Sequence, residues 1–260
     1  QFDIPVIGLT GSAGKSSTKE LIASLLSEKH NVLKTTGNLN NLIGVPLTLF
    51  SLNPQHDVAV IEAGISIPGE MERLTTIIRP TIRLVTNVGL SHVEYLSDIA
   101  GVAKEKARMF DQASSQDTLI YNADDPFITK EVQRRATGQK FSFGLDSLAD
   151  ITGKNIENLG TKGSRFELSH EDSTELVQLK AAGRHQVYNA CAAAAVAVTL
   201  GITLKEISIA LSQEMDAMPS RSQVSVLSNG VTLIDDTYNS NPTSVLAAID
   251  LLVSVDAQRR

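Results

Sequence analysis

Apolar runs of strand length alternate with segments of helical periodicity through the first half of the chain. Residues 4–9 form an apolar run that ends in a Gly/Ser turn, and residues 15–29 then carry apolar side chains at the spacing of an amphipathic helix. The same alternation predicts strands over residues 58–61, 82–86 and 118–121, and helices over residues 70–78, 99–110 and 127–135. This order predicts an α/β fold, in which a mostly parallel sheet has helices on both faces. Ligands of such sheets bind beyond the carboxyl ends of the strands.

The second half of the chain has a different pattern. Apolar residues scattered among Gly, Asn, Ser and charged residues predict a small antiparallel β patch over about residues 139–180. Helices are predicted over 187–200 and 204–211, the second with a capping box formed by Thr203 and Glu206. A hairpin over residues 224–234 and a helix over 244–253 follow. We interpret residues 1–217 as one domain and residues 218–260 as the beginning of a second, truncated domain.

Composition narrows the class of protein. The formal charge of −6 argues against broad nucleic-acid binding, and the single cysteine, Cys191, excludes an internal disulfide. No apolar run approaches the ~18 residues of a membrane helix. Hydrophobic residues make up 42% of the chain and aromatic residues only 4%, so aliphatic side chains must build the core. The sequence predicts a soluble, cytoplasmic globular protein that binds neither nucleic acid nor membrane.

A glycine-rich segment joins the first predicted strand to the first predicted helix. It reads Thr10-Gly11-Ser12-Ala13-Gly14-Lys15-Ser16-Ser17. Its backbone N–H groups can close on phosphate oxygens, Lys15 can reach the terminal phosphates, and the hydroxyl of Ser16 can bind Mg²⁺. Leu9 replaces the first glycine of the usual phosphate-loop pattern, so a Gly/Ser turn without a ligand is the alternative.

Three further residues carry candidate chemistry. Glu62 ends a predicted strand, where it could bind Mg²⁺ or cap a helix. His92 follows another strand and is either a metal ligand or a surface residue. Lys106 lies within the apolar stripe of its helix, so it either extends to solvent or is buried. A buried neutral amine can react with CO₂ to form a carbamate, which is an anionic ligand for Mg²⁺.

Together these segments resemble the Mur ligases, the ATP-dependent amide-forming enzymes of peptidoglycan synthesis. The resemblance rests on residues 8–16, 36–48, 87–92, 101–110, 183–189 and 235–242. The Gly-Asn-x-Asn-Asn-x-Ile-Gly-x-Pro-Leu and Asp-Asp-x-Tyr-Asn-x-Asn-Pro patterns resemble those of members that add D-alanyl-D-alanine to UDP-N-acetylmuramoyl-tripeptide. Residues 62–66 and 68–71 are similar to forms fused to an alanine racemase. The resemblance implies the phosphate-loop fold of the family's central domain, without its UDP-sugar-binding domain, and therefore implies that the 260 residues alone bind ATP weakly and do not ligate.

The resemblance also assigns roles to residues. It implies that Lys15, Lys106 and His92 are catalytic. Among the metal ligands, Ser16 would bind one Mg²⁺, Glu62 and His92 would hold a second metal, and Lys106 would be a carbamoylated lysine. The nucleotide would contact Thr10, Gly11, Ser12, Ala13, Gly14, Lys15, Ser16, Ser17, His185, Asn189, Arg221 and Asp236, and the muramoyl substrate would lie near Asn38, Asn40 and Asn41. ATP and Mg²⁺ are the implied cofactors, and the carboxylate substrate would react through an acyl phosphate.

Two other functions stay open at this point. One is a different ligase of the same family, with another peptide acceptor or with folylpolyglutamate chemistry. The other is a phosphate-loop module that binds a nucleotide without ligation, which would turn over ATP independently of any carboxylate substrate. A nucleic-acid motor is disfavoured because the chain is acidic and has no basic stripes interleaved with aromatic residues.

Overall fold

The structure is a computed structural model that describes residues 3–90, 93–135, 137–213, 223–238, 240 and 242–255. The strands are β1 Val6–Thr10, β2 Val32–Lys34, β3 Val58–Glu62, β4 Ile82–Val85, β5 Thr118–Asn122, β6 Gln139–Gly144, β7 Ile151–Asn158, β8 Ser164–His170, β9 Ser173–Leu179, β10 Gln223–Val226 and β11 Thr232–Asp235. The helices are α1 Lys15–Ser27, α2 Gly44–Phe50, α3 Glu70–Ile78, α4 Val93–Leu96, α5 Ile99–Ala107, α6 Pro126–Gln133, α7 Arg184–Thr199, α8 Leu204–Ser212 and α9 Pro242–Ser254. Short 3-10 turns cover Arg108–Phe110 and Gly160–Lys162.

Nine strands form one sheet in the order β2-β3-β1-β4-β5-β6-β7-β8-β9. All neighbours from β2 through β7 are parallel, whereas β7, β8 and β9 pair antiparallel. The predicted mostly parallel sheet is therefore confirmed. The predicted antiparallel patch is narrower than residues 139–180, because β6 extends the parallel sheet and only the β7–β8 and β8–β9 pairs are antiparallel. These last strands continue the main sheet and do not form a separate layer.

The order of the strands places a crevice beside β1. Strands β2 and β3 lie on one side of β1, and strands β4 to β9 lie on the other. The order of the strands therefore reverses at β1, and the connections on its two sides run in opposite directions. The carboxyl ends of β1, β3, β4 and β5 meet at this edge. Thr10, Glu62 and Asn122 end their strands there, and Thr86 directly follows β4. Such a switch point is where α/β sheets bind ligands.

Two apolar clusters cover the two faces of the sheet. The first combines Ile7 and Leu9 of β1 with apolar side chains of α1, α7 and α8. Helix α7 contributes a run of small residues, Ala190 to Ala197, every one of them fully buried, and it packs against α1. The second cluster contains apolar residues of α3, α5 and α6, including Val102 of α5, and also Met109 of the 3-10 turn after α5. Both faces of the sheet are therefore covered, as the alternation of strands and helices requires.

Strands β10 and β11 form a separate antiparallel hairpin, with Val224 opposite Ile234, and α9 follows them. The hairpin and the final helix were both predicted from the sequence. Across the described ranges, no helix combines the length and the hydrophobicity needed to cross a bilayer.

Candidate nucleotide and metal site

A single cleft of about 770 Å³ lies at the carboxyl edge of the sheet. Residues 12–17 of the glycine-rich segment line one part of it, and Asn40, Asn41 and Glu62 line another. His185 and Asn189 of α7 and Asp236 beyond β11 complete the wall. The structure therefore brings together most of the residues that the sequence singled out, although they lie far apart in the chain.

The glycine-rich segment is shaped by close approaches of its backbone. Gly14, the residue before α1, has φ +77, and a Cβ atom there would lie 2.3 Å from the Oδ1 of Asn189. A Cβ atom on Gly11 would lie 1.9 Å from the Oγ1 of Thr86. Neither position accepts a side chain without movement of its neighbours. The backbone consequently lies directly between β4 and α7, with the N-terminal end of α1 at the cleft, where backbone N–H groups attract phosphate.

Side chains hold this segment against the loop that follows β4. The Oδ1 of Asn87 accepts a hydrogen bond from the N–H of Ala13 (2.9 Å), and its Nδ2 donates to the carbonyl of Ala13 (3.0 Å). The Oγ of Ser12 accepts from the N–H of Gly89 (2.8 Å). These hydrogen bonds fix the shape of the segment from within the protein, which would reduce the entropic cost of binding a phosphate group there.

Two lysine side chains converge on one carbonyl oxygen. The Nζ of Lys15 donates to the carbonyl of Gly11 at 2.9 Å, and the Nζ of Lys106 donates to the same oxygen at 3.0 Å. Lys106 is only 2% exposed, so it does not extend to solvent. Burial lowers the pKa of Lys106 well below its usual value, the charge of Lys15 lowers it further, and Glu105 opposes the shift. The side chain of Lys106 is therefore a buried amine with a lowered pKa, and it lies beside the glycine-rich segment.

Glu62 is the last residue of β3 and is 1% exposed. Its Oε1 accepts a hydrogen bond from the Nδ2 of Asn40 at 2.8 Å, while its Oε2 has no hydrogen-bond partner among the described residues. Since α3 begins only at Glu70, Glu62 does not cap that helix. A buried carboxylate oxygen without a donor fits a divalent cation, because Mg²⁺ prefers oxygen ligands.

Of the other predicted metal ligands, Ser16 lines the cleft, whereas His92 is not among the described residues. Ser16 is buried in the first turn of α1 and lines the cleft. His92 lies outside the described residues, as does Arg221. Within the described part of the chain, no three His, Cys, Asp or Glu side chains cluster in a metal-binding arrangement. The candidate oxygen donors among the described residues at this edge are the hydroxyl of Ser16 and the carboxylate of Glu62.

The N-terminal end of α7 forms the opposite wall. Asn189 accepts a hydrogen bond from the Oγ1 of Thr18 at 3.2 Å and donates to the Oε1 of Gln186 at 3.1 Å, so its amide is fixed between α1 and α7. Burial lowers the pKa of His185, against the opposing charge of Asp236. The imidazole therefore favours its neutral form, which suits contact with an uncharged base.

Sequence reasoning missed a carboxylate that organises this wall. The Oδ2 of Asp124 accepts hydrogen bonds from the N–H of Leu145 (2.6 Å) and the hydroxyl of Tyr188 (2.9 Å), and its Oδ1 accepts from the N–H of Ser147 (2.6 Å). Burial alone would raise the pKa of Asp124, but the hydrogen bonds from residues 145–147 outweigh it and hold the pKa well below the ordinary range. The adjacent Asp125 caps α6 and accepts from the N–H of Val88 at 2.6 Å. The signal in the sequence was an Asn-Ala-Asp-Asp-Pro run directly after a strand.

The three asparagines assigned to a substrate have different environments. Asn40 and Asn41 line the cleft, whereas Asn38 is exposed and is not among the lining residues. The Oδ1 of Asn41 accepts from the N–H groups of Ile43 and Gly44 and so caps α2. Only Asn40 combines a position in the cleft with a direct hydrogen bond to Glu62.

Comparison with known proteins identifies the family. A family model described as the Mur ligase middle domain matches residues 9–197. The UDP-N-acetylmuramoyl-tripeptide--D-alanyl-D-alanine ligase of Escherichia coli (strain K12) is 37% identical over 260 residues, which is 100% of this chain and 57% of that protein. The chain therefore spans slightly more than half the length of the curated relatives it matches.

Solved structures agree with this comparison. A crystal structure of MurF from Acinetobacter baumannii superposes with a TM-score of 0.91 at 34% identity, covering 97% of this chain and 55% of that one. MurF ligase from Thermotoga maritima in complex with ADP gives a TM-score of 0.87 at 30% identity, covering 97% and 57%. The match to the family model and the superposition on these structures show that the chain belongs to the Mur ligase family.

Proposed function

We propose that this chain is the nucleotide-binding part of an ATP-dependent ligase that joins D-alanyl-D-alanine to UDP-N-acetylmuramoyl-tripeptide. The observation that carries the proposal is the convergence of Lys15 and Lys106 on the carbonyl of Gly11, in a cleft that also contains the unpaired carboxylate oxygen of Glu62. The names of the relatives support the two substrates, and the Thermotoga maritima structure with ADP supports a nucleotide in this cleft. The domain boundary near residue 217 remains a prediction.

The proposed reaction begins when the carboxylate of the tripeptide attacks the γ-phosphorus of ATP and ADP leaves. The amine of D-alanyl-D-alanine then attacks the acyl phosphate, phosphate departs, and the amine loses a proton as the amide bond forms. Repulsion between the carboxylate and the triphosphate is the main obstacle to the first step. Lys15, at the start of α1, is positioned to neutralise terminal phosphate oxygens, and the backbone N–H groups of the phosphate loop add fixed positive dipoles.

Further residues of this chain fit the divalent cation that the family implies. We propose that Ser16 holds one Mg²⁺, that Glu62 and His92 hold a second metal ion, and that a carbamoylated Lys106 is a further metal ligand. The ions would supply charge neutralisation at the phosphate oxygens. The burial of Lys106 supports the carbamate, because a neutral amine is the form that reacts with CO₂. Asn40 fixes the orientation of Glu62 by its 2.8 Å hydrogen bond. A second role of Asn40 would be to contact the muramoyl peptide from the same wall.

The base of the nucleotide would lie against α7. Its N-terminal residues His185 and Asn189 face the cleft, with Asp236 nearby. Asn189 is already hydrogen-bonded to Thr18 and Gln186, so the wall does not have to reorganise when a base binds. We propose that His185 and Asn189 contact the adenine and that Asp236 and Arg221 contact ribose and phosphate.

A ligation assay on the full-length protein tests the proposed function. ATP, Mg²⁺, UDP-N-acetylmuramoyl-tripeptide and D-alanyl-D-alanine are supplied together and then with each one omitted, and the amide product is detected by mass spectrometry. We expect the release of phosphate and the formation of product to require all four components. A phosphate-loop module without ligase activity would instead release phosphate at the same rate when the tripeptide is omitted. A panel of other peptide acceptors would identify a ligase of different specificity.

A further inference from the structure

Thr10 carries a buried hydroxyl group whose partner is not evident. Thr10 is the last residue of β1 and is 0% exposed, yet its Oγ1 has no hydrogen-bond partner among the described residues. A buried hydroxyl without a partner costs roughly 1–3 kcal/mol. Among the described residues, only three other buried side-chain atoms have no hydrogen-bond partner. One of them, the Oε2 of Glu62, lies at the same edge of the sheet as Thr10. The coincidence suggests that both atoms serve a group that binds there.

The direction of the Thr10 side chain follows from the alternation of β1. Ile7 and Leu9 point into the cluster that contains α1 and α7. Gly8 faces the other side, since a Cβ atom on it would meet Pro80 at 2.9 Å and Met109 at 3.2 Å. Because strand residues two apart share a face, Thr10 lies on the Gly8 face of the sheet.

Lys106 approaches from that same face. It belongs to α5, whose Val102 and Ala107 pack in the second apolar cluster together with Met109. Its Nζ donates to the carbonyl of Gly11, the residue directly after Thr10, at 3.0 Å. The unpartnered hydroxyl and the buried amine are therefore neighbours at one end of β1, on one face of the sheet.

We propose that Thr10 is a positioning residue for a carbamate on Lys106, with the hydroxyl of Thr10 donating a hydrogen bond to one carbamate oxygen. This inference rests on the proposed function, specifically on the carbamoylation of Lys106. The carbamate forms when the amine lone pair of Lys106 attacks the carbon of CO₂, the N–C bond forms, one C=O π pair moves to oxygen, and a proton passes from nitrogen to water. The remaining N–H of Lys106 keeps its hydrogen bond to Gly11. One carbamate oxygen is then oriented by Thr10, and the other is left for a cation.

The proposal makes Thr10 unnecessary for folding and necessary for the modification. Thr10→Val keeps the shape of the side chain and removes only the hydroxyl, whereas Thr10→Ser keeps the hydroxyl. Since the hydroxyl has no partner to lose in the structure, we expect Thr10→Val to unfold at the same urea concentration as the wild type or a higher one. We expect the affinity for CO₂ to fall about tenfold, which is about 1.4 kcal/mol, and Thr10→Ser to restore it.

The experiment measures carbamate directly in the full-length protein. The wild type, Thr10→Val, Thr10→Ser and Lys106→Met are equilibrated with ¹³C-bicarbonate, and the carbamate resonance is followed by ¹³C NMR as bicarbonate is titrated. The Lys106→Met variant identifies the resonance by its loss. Wild-type occupancy in Thr10→Val would overturn the role of Thr10 and leave the proposed function intact. If Thr10→Val lost as much unfolding free energy as one buried hydrogen bond contributes, the role of Thr10 would also be overturned. Absence of carbamate in the wild type would refute both this inference and the proposed metal ligands. In that case the ligation assay would still test the proposed reaction.

Discussion

Replacement of Gly14 by alanine tests the fit between the phosphate loop and α7. The new Cβ atom would lie 2.3 Å from the Oδ1 of Asn189, well inside van der Waals contact. Asn189 cannot simply rotate away, because Thr18 donates to its Oδ1 and its Nδ2 donates to Gln186. We expect Gly14→Ala to displace this amide and so disturb both the loop and the wall that faces it.

The magnitude follows from two contributions. An alanine in the left-handed region costs about 1–2 kcal/mol. Displacement of Asn189 breaks two hydrogen bonds worth about 0.5–1.5 kcal/mol each, so the total loss of unfolding free energy is about 2–5 kcal/mol. Gly201→Ala is the matched control, because Gly201 has φ +79 and nothing lies within 4 Å of its Cβ position. We expect that control to lose only the first contribution.

Urea unfolding and calorimetric titration with ADP measure the two effects. The unfolding free energy should fall further in Gly14→Ala than in Gly201→Ala, and only Gly14→Ala should weaken ADP binding. Adding Asn189→Ala to each variant completes a double-mutant cycle. If the clash with Asn189 is the cause, Gly14→Ala costs no more than the control once that amide is removed. Equal costs for the two glycine variants in the wild-type background would refute the reasoning.

Three further predictions concern the charged groups of the cleft. Glu62→Gln keeps the contact with Asn40 but removes the charge, so we expect at least about tenfold weaker Mg²⁺-dependent ADP binding by calorimetry, with unchanged binding in EDTA. Asp124→Asn should lower the unfolding free energy by about 2 kcal/mol near neutral pH, because hydrogen bonds to a charged group are lost. The pKa of Asp124 is depressed in the folded state, so this stabilisation is fully present above its unfolded pKa of about 3.9. In urea titrations, the difference in unfolding free energy between the variant and the wild type should therefore shrink as the pH falls below that value. Lys106→Met should abolish ligation without lowering the melting temperature, whereas Lys104→Met, at an exposed position on the same helix, should retain activity; a stable, active Lys106→Met would contradict the proposed role.

The strands and helices with strong periodicity were predicted well. The predicted helix over residues 70–78 coincides with α3, and the capping box of Thr203 and Glu206 is present at the start of α8. Such elements are set by local patterns of burial and by capping groups that are adjacent in sequence. The predicted helix over residues 99–110 divides into α5 and a 3-10 turn, Arg108–Phe110.

The elements that were missed are short. Strand β2 has three residues and α2 has seven, with Pro46 within its first turn. Neither is long enough for a periodic pattern, and β2 exists because it pairs with β3 across a long stretch of chain. The parallel direction of β6 was missed for the same reason, since register with β5 is a tertiary property.

A site residue was predictable from the sequence where an unusual residue type occurs at a position whose burial the local pattern already indicates. Lys106 was identified because a lysine within an apolar stripe is unusual, and the structure shows it buried. Its hydrogen bond to Gly11 was not predictable, because it joins residues 95 positions apart. Asp124 was missed because an acid after a strand is common, and only its bonds to the 145–147 loop and to Tyr188 distinguish it.

Helices α1 and α7 both begin at the cleft and interlock along small side chains, since residues 190–197 of α7 are buried against the α1 side of the sheet. Because most of the buried side chains on this part of α7 are small, the two helices pack closely, and close packing of this kind resists sliding or tilting of one helix against the other. In the proposed function, the phosphate loop at the start of α1 and the α7 residues assigned to the base would therefore keep a constant spacing. We therefore expect conformational changes on ligand binding to occur in the connecting loops at the rim of the cleft rather than in these two helices.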